Sequence, residues 1–429
     1  MKNTVGDGTS FLKYFEMSDI SVTTASASET AKMKLSVAAN WDLELLEGLG
    51  KIPEVTSVYA KLPFDVVGGG RAGMVIPQVD WDFAVDYIAA AHRHGLSFCY
   101  LINAPCLGNL EQTREGKGAI LTFVGQLADA GVDSVSIANL AILGMVRRNF
   151  PGLSIRGSVL SWPTNLARLK YQEELGADPL ILPYSEFNRD FEMLARIRSG
   201  ISCGMQLFAN VSCIYNCHYL AEHAGSVGHA SQLAAHTSQA NFFLDVYLWQ
   251  CTRRRLLHPE LLLMSRWIRP EDLHVYEAMG YDEFKIIDRS RSTQWLLRAA
   301  GAYAKRSYEG NLLDIISLEM LGDPNGFHRD IDNQVRERMR HYNRDERLLT
   351  TRMLKLRKRL LDLDITIDNT ELADFLVGFQ KIRCAENFCE NCRYCHRFAE
   401  RAIRFDRDEA SRLAVDIEEL LKDSMMFGA

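Results

Sequence analysis

Residues 81–105 read WDFAVDYIAAAHRHGLSFCYLINAP. Over Trp81–Gly95 the apolar residues recur at spacings of three and four, the period of a helix with one buried face, and Gly95 falls where a helix C-terminus favours glycine. Ser97–Pro105 follows as a short β-branched and aromatic run, the pattern of a buried strand. A helix passing through one glycine into such a strand is half of a βαβ unit, and the alternation extends in both directions. Strand-like runs recur at Lys34–Asn40, Ser57–Phe64, Asp133–Asn139, Ser154–Ser161, Pro179–Ser185, Gly204–Ser212 and Glu283–Asp288, with helical stretches such as TNLARLKYQEELG (Thr164–Gly176) between them. Eight strands alternating with helices predict an α/β fold, a (β/α)8 TIM-like barrel or a distorted relative of it.

The chain has 429 residues, enough for one barrel-sized domain and a smaller appendage. Its 49 basic and 55 acidic residues give a formal net charge of −6, which does not favour bulk nucleic-acid binding. Residues 1–30 are polar and rich in Ser and Thr, without the apolar core of a secretory signal, and are expected to form a loose N-terminus. No stretch reaches the roughly 18 apolar residues of a membrane span, so a cytoplasmic protein with no membrane partner is expected. The barrel is placed at 31–320, with an insertion at 210–265. Residues 321–429 read as a helical C-terminal extension, with a basic run at Arg336–Asp364 and an acidic one at Asp408–Asp423. The basic run is read first as a solvated helix face and second as a surface for RNA or an acidic partner.

Active sites of such barrels collect at the C-terminal ends of the strands. Asn40, Asn103, Asn139, Ser161, Asn210 and Lys285 fall there. Arg266, Arg269, Lys285 and Arg289 cluster around the eighth strand and suit a dicarboxylate substrate. VVGGGRAG (Val66–Gly73) follows the second strand and is a candidate anion loop, with Arg71 for a bidentate carboxylate contact, although it is neither a P-loop nor a dinucleotide fingerprint. The expected catalytic residues are Lys285, Arg289 and Asn210, and the expected substrate contacts Arg71, Arg266, Arg269, Asn103 and Asn139.

Ten cysteines in a chain of this kind point to metal or catalytic chemistry rather than disulfides. CAENFCENCRYC places Cys384, Cys389, Cys392 and Cys395 within twelve residues, close enough to close around one tetrahedral zinc or an iron–sulfur cube. Cys213 and Cys217 follow the seventh strand and Cys251 follows later. Cys106, just past the third strand, is the expected fourth member at the same rim, with Cys203 as its rival. Cys99, inside a strand, is read as core. His218, His223, His229 and His236 do not form a recognisable zinc-peptidase motif, and structural or supporting roles are expected for them.

LFANVSCIYNCHYLAEH (Leu207–His223), DVYLWQC (Asp245–Cys251) and the segment WIRPEDLHVYEAMGYDEFKIIDRSRSTQWLLRAAGAYAKRSYEGNLLDII (Trp267–Ile316) together resemble the collagenase-like peptidase U32 family. The resemblance spans about Lys34 to Ile316. It implies kinship with oxygen-independent hydroxylation proteins of ubiquinone biosynthesis and of tRNA and rRNA bases, which hold a 4Fe-4S cluster on four cysteines and for which prephenate is the implied oxygen donor. Carried over, it places a 4Fe-4S cluster on Cys213, Cys217 and Cys251 with Cys106, beside a second cluster or zinc at Cys384, Cys389, Cys392 and Cys395. Of the family's commonest cysteine signature this chain keeps the cysteines alone, and their Cys-x-x-x-Cys spacing is closer to the ubiquinone-pathway proteins. The function expected is iron–sulfur-dependent modification, foremost oxygen-independent hydroxylation, of a small-molecule, peptide or RNA substrate, with a small organic acid such as prephenate as co-substrate. The alternatives are a non-catalytic iron–sulfur or zinc scaffold working with a protein partner, and a U32-type peptidase.

Overall fold

A computed structural model of the chain describes residues 32–234, 244–318 and 339–424. The expected loose segment 1–30 and His236 lie outside the described residues. Eight parallel strands close into a barrel in sequence order: β1 (Lys34–Ala38), β2 (Val55–Ala60), β3 (Ser97–Ile102), β4 (Ser134–Ile137), β5 (Ser154–Gly157), β6 (Leu180–Ile181), β7 (Met205–Phe208) and β8 (Glu283–Ile286). β1 pairs with both β2 and β8, which closes the ring. All eight strands lie within the runs expected from sequence or extend them by at most two residues.

Helices α1 (Leu43–Leu49), α2 (Trp81–Arg93), α3 (Arg114–Asp129), α4 (Leu140–Asn149), α5 (Leu166–Glu174) and α6 (Phe191–Gly200) follow the first six strands in turn. Asp80 caps α2 by accepting from the Phe83 amide at 2.9 Å. Gly95 then takes φ 73, a left-handed turn that releases the chain into β3. Between β7 and β8 lie α7 (Leu220–His229), α8 (Val246–Leu257), α9 (Glu260–Met264) and α10 (Leu273–Ala278), and α11 (Thr293–Lys305) completes the ring. No helix among the described residues is long and apolar enough to cross a membrane.

The C-terminal region is less an appendage than expected. Its helices α12 (Arg344–Leu361), α13 (Tyr394–Ala402) and α14 (Arg407–Asp423) belong to the same compact unit as the barrel. Leu356, Phe375, Leu413 and Ile417 are buried in the barrel's own hydrophobic core. Part of the basic run is paired inside the chain: on α12, Arg359 pairs with Glu409 at 2.7 Å and also with Asp416, and Arg352 pairs with Asp423. The acidic run of α14 therefore faces the basic run of α12, so this part of the basic face is not left for a polyanion.

The barrel interior is unusually polar for a fold normally filled with branched aliphatic side chains. Arg156 of β5 reaches across to Glu283 of β8 at 2.5 Å, and Gln206 of β7 donates to the same carboxylate at 2.7 Å. One layer further toward the C-terminal rim, Lys285 of β8 places its ammonium 3.9 Å from the centre of the Tyr59 ring on β2. Burial is the largest influence on that ammonium and pulls its pKa down to about 8.

Beyond β7, Asn210 is fully buried and fully engaged. Its amide donates to Ile287 O at 2.8 Å and Ile315 O at 3.0 Å, and its carbonyl accepts from Ile287 N at 2.8 Å. The side chain thus ties the ends of β7 and β8 to the segment that follows α11. Asn210→Ala leaves three buried backbone groups unpaired, and a loss of about 3 kcal/mol in urea unfolding is expected. Lys285→Met is expected to act in the opposite sense. A lysine whose folded pKa lies below its unfolded value binds fewer protons when folded, so it lowers stability at neutral pH. That cost fades as pH rises from about 8 toward the ordinary 10.5. The variant should therefore exceed the wild type by about 3 kcal/mol at pH 7, with the gap closing by pH 10 in paired urea titrations.

Candidate functional site

The loop after β2 supplies the first part of the site. Lys61, at the first position past the strand, is fully buried and pairs with Asp65 at 3.1 Å. Asp65 also accepts from the Tyr100 hydroxyl at 3.0 Å and from the Val67 and Gly68 amides at 3.0 and 2.6 Å. Gly69 N donates to Ser231 at 2.8 Å. The first amides of the glycine-rich loop are therefore spent on the chain's own groups, and the loop does not offer them to an anion as expected. What it does provide is close approach. A Cβ at Gly69 would lie 2.7 Å from the Lys61 side chain and 2.8 Å from Asn103 Oδ1.

The segment after β8 supplies the second part. Asp288 accepts from Ser290 and Ser317 and pairs with Arg71 at 3.0 Å and Arg291 at 3.3 Å. Burial alone would raise its pKa, but these partners hold the carboxyl far below the usual range. Arg289, 5% exposed, is different. No described residue hydrogen-bonds or ion-pairs to its guanidinium, and its buried Nη1 has no acceptor. Burial first, and then the cationic Arg71 beside it, lower its pKa to about 10. Lys285 likewise has neither hydrogen bond nor ion pair, only the faces of Tyr59 and, at 5.7 Å, Phe208. Asn103 donates to Ser158 at 3.2 Å while its buried Oδ1 has no donor.

A cavity of about 250 Å³ adjoins this cluster through Arg71 and Ser290. Arg71 and Ser290 stand in its wall with Trp162, Tyr184 and Trp249, and Met353 and Leu354 of α12 help to roof it. Cys213, His223 and Asp245 also line it, and His223 Nε2 lies 2.9 Å from Asp245.

The other expected site residues are placed as structural members. Asn139 caps α4 by accepting from the Ala141 and Ile142 amides. Arg269 grips Asp272 with two nitrogens at 3.0 and 3.2 Å and reaches Asn369, tying the barrel to the C-terminal region. Arg266 donates to Glu186 O at 2.8 Å and lies 4.1 Å over the Tyr215 ring. Lys61, Asp65, Tyr100, Asp288 and Asp245 were not singled out from sequence. Lys61 carried the strand-end signal that identified Asn103, but it sat inside a run that read as strand.

The cysteines divide. Cys213 is in the cavity wall, whereas Cys106 is exposed, and Cys217 and Cys251 are half-buried elsewhere on the rim segments. Cys99 is core, and Cys203 precedes β7 with its thiol pushed up to about 12 by burial and the neighbouring Glu173. Among the described residues no three His, Cys, Asp or Glu side chains converge as a metal centre as placed. This holds at the barrel rim and at the C-terminal cysteines alike. In the C-terminal group, Cys384, Cys389 and Cys392 each act electrostatically on Cys395.

Against known proteins, the model of peptidase family U32 matches residues 84–210, from α2 to just past β7, and stops short of Cys213. The uncharacterized protease MJ1657 of Methanocaldococcus jannaschii is 31% identical over 265 residues, covering 61% of this chain and 76% of that protein. The solved U32 peptidase Mk0906 aligns with a TM-score of 0.45 at 16% identity, over 63% of this chain and 98% of the other. A relative of that identity, matched over three quarters of its own length, together with the family match, places the sequence: the chain belongs to peptidase family U32.

Proposed function

We propose that this chain is an enzyme that binds an anionic organic molecule at the mouth of its barrel. It modifies that molecule, or a peptide or RNA base presented with it, by iron–sulfur-dependent, oxygen-independent hydroxylation. The observation that carries the binding half is Arg289, a 95% buried guanidinium with no partner of its own, next to Lys61, Arg71 and Lys285. A buried cation with no direct ion pair or hydrogen bond is costly, and an anionic ligand would relieve it. A dicarboxylate such as prephenate suits the arrangement, because a guanidinium accepts a carboxylate in two parallel hydrogen bonds. The hydroxylation half rests on the family resemblance. An iron–sulfur cluster, when bound, would supply redox capacity or a Lewis-acidic iron.

The chain's own residues have definable tasks. Arg289 and Arg71 orient the carboxylate, and the donor-less Oδ1 of Asn103 accepts a hydroxyl. Lys285, with its pKa near 8, can hold or release a proton at Nζ close to neutral pH. The aromatic wall of Trp162, Tyr184 and Trp249 excludes water.

A second reading, a thiol-dependent hydrolase, is favoured by one observation: Cys213, His223 and Asp245 share the cavity wall, with the imidazole hydrogen-bonded to the carboxylate. Peptidase assays of wild type and Cys213→Ala decide it. Cleavage lost only in the variant supports the hydrolase, and no cleavage by either removes it.

For the leading reading, calorimetry with prephenate should show Arg289→Gln weakening binding roughly ten- to a hundredfold, the worth of one charged hydrogen bond. Unchanged affinity in the variant, or equal affinity for an uncharged analogue, would overturn the anion site. For the chemistry, comparing deletion and wild-type cells for metabolites or RNA bases that differ by one oxygen tests hydroxylation separately.

A further inference from the structure

We propose that Cys384, Cys389, Cys392 and Cys395 form a tetrathiolate site for a soft metal, zinc or an iron–sulfur cluster, whose negative charge is balanced by the buried guanidinium groups of Arg189 and Arg266. This goes beyond the barrel-mouth reading and does not depend on it.

The backbone gathers the thiols. Cys389–Cys392 forms a single helical turn, which Arg393 breaks at φ 49, so that α13 starts in a new direction with Cys395 in its first turn. Cys384 opens the preceding turn, and all four thiols are half-buried. Each cysteine has one side-chain torsion to turn toward a shared ion. Four thiolates are a donor set that selects zinc or iron–sulfur over harder metals.

The second observation is independent of the cysteine spacing. Arg189 is 2% exposed and has no carboxylate partner among the described residues. It donates to the carbonyls of Leu263 and Trp267 at 2.5 and 3.0 Å, while its buried Nε has no acceptor. The rings of Trp267, Phe375 and Phe379 surround its guanidinium at 4.9, 4.8 and 5.1 Å. The groups of opposite sense that act on it include Cys395 and Cys384. Arg266, 3% exposed, also lacks a carboxylate and acts on Cys389. Two buried cations with no carboxylate in ion-pair contact among the described residues are poorly matched by four neutral thiols. Beside a divalent ion with four thiolates, a net dianion, they are matched. Arg266 also stacks on Tyr215, so the site abuts the loop that leads from β7 past Cys213 and Cys217.

The test uses the full chain purified without oxygen and assayed for zinc, iron and acid-labile sulfide. Relative to the wild type, the double variant Cys389→Ala/Cys392→Ala should lose the whole metal equivalent held by these four thiols, whereas Cys213→Ala should retain it. Zinc without sulfide identifies a tetrahedral zinc site, and iron with equal sulfide a cluster. Arg189→Gln should release the metal to EDTA roughly ten- to a hundredfold faster, as is usual when a neighbour of metal ligands is removed. Arg189→Lys, which keeps the charge, should restore slow release, a rescue that a packing defect would not show. Iodoacetamide mapping of the wild type, before and after chelation, covers the case in which the double variant fails to fold. All four thiols should be shielded before chelation and labelled after it. The proposal is overturned if the double variant folds and keeps its metal. It is equally overturned if the wild type carries none and added zinc does not shield these thiols.

Discussion

Charge held out of water organises this molecule. Lys61, Arg71, Lys285, Arg289 and Arg291 converge near the C-terminal mouth of a closed barrel, where water cannot solvate them fully. Asp65 and Asp288 answer part of that charge, and the remainder is spread over aromatic faces and hydroxyls. The loop after β2 is fastened by the same carboxylate that neutralises Lys61, since Asp65 also accepts the amides that set the loop's turn. The positions of Gly69, Asn103 and Arg71 follow from that fastening.

The segment after β7 is held by a comparable device made from neutral groups. Asn210 joins two strand ends to the chain beyond α11, and Ser212 and Ser265 extend the stitching. The long excursion through α7–α10 can therefore leave the barrel and return without loosening it. Arg269 and Arg189 perform the same service toward the C-terminal region, one through Asp272 and Asn369 and the other through a cage of rings. The helices that read from sequence as an appendage share the barrel's core for this reason.

The barrel was legible because strand and helix periods are local properties, and each run carries its own signal. Segment boundaries in the C-terminal half were less so, because the burial of Phe375 and Leu413 depends on surfaces hundreds of residues earlier in the chain. The rule that strand ends carry chemistry singles out Asn103 and Lys285 together with Asn210 and Asn139, and the fold engages the last two in clasping and capping bonds. An asparagine that caps a helix or clasps two strands is indistinguishable in sequence from one that holds a substrate. The partners of the buried cations were not legible at all. Asp65 and Asp288 are ordinary acidic letters until the fold shows what they touch. The cysteines show the same contrast: four in twelve residues are gathered by short turns, whereas four spread from Cys106 to Cys251 depend on long-range placement.

The roof of the cavity comes from α12, whereas its floor and walls come from the barrel loops and the helices that follow β7. Every barrel strand is made before Met353 and Leu354 leave the ribosome. A nascent chain can close its barrel while the mouth still lies open to solvent, and domains generally begin folding from the N-terminal side during synthesis. The enclosed site is thus a late product of translation, completed when α14 brings its carboxylates to the arginines of α12. A chain interrupted before that point would carry the barrel's charged mouth without its cover.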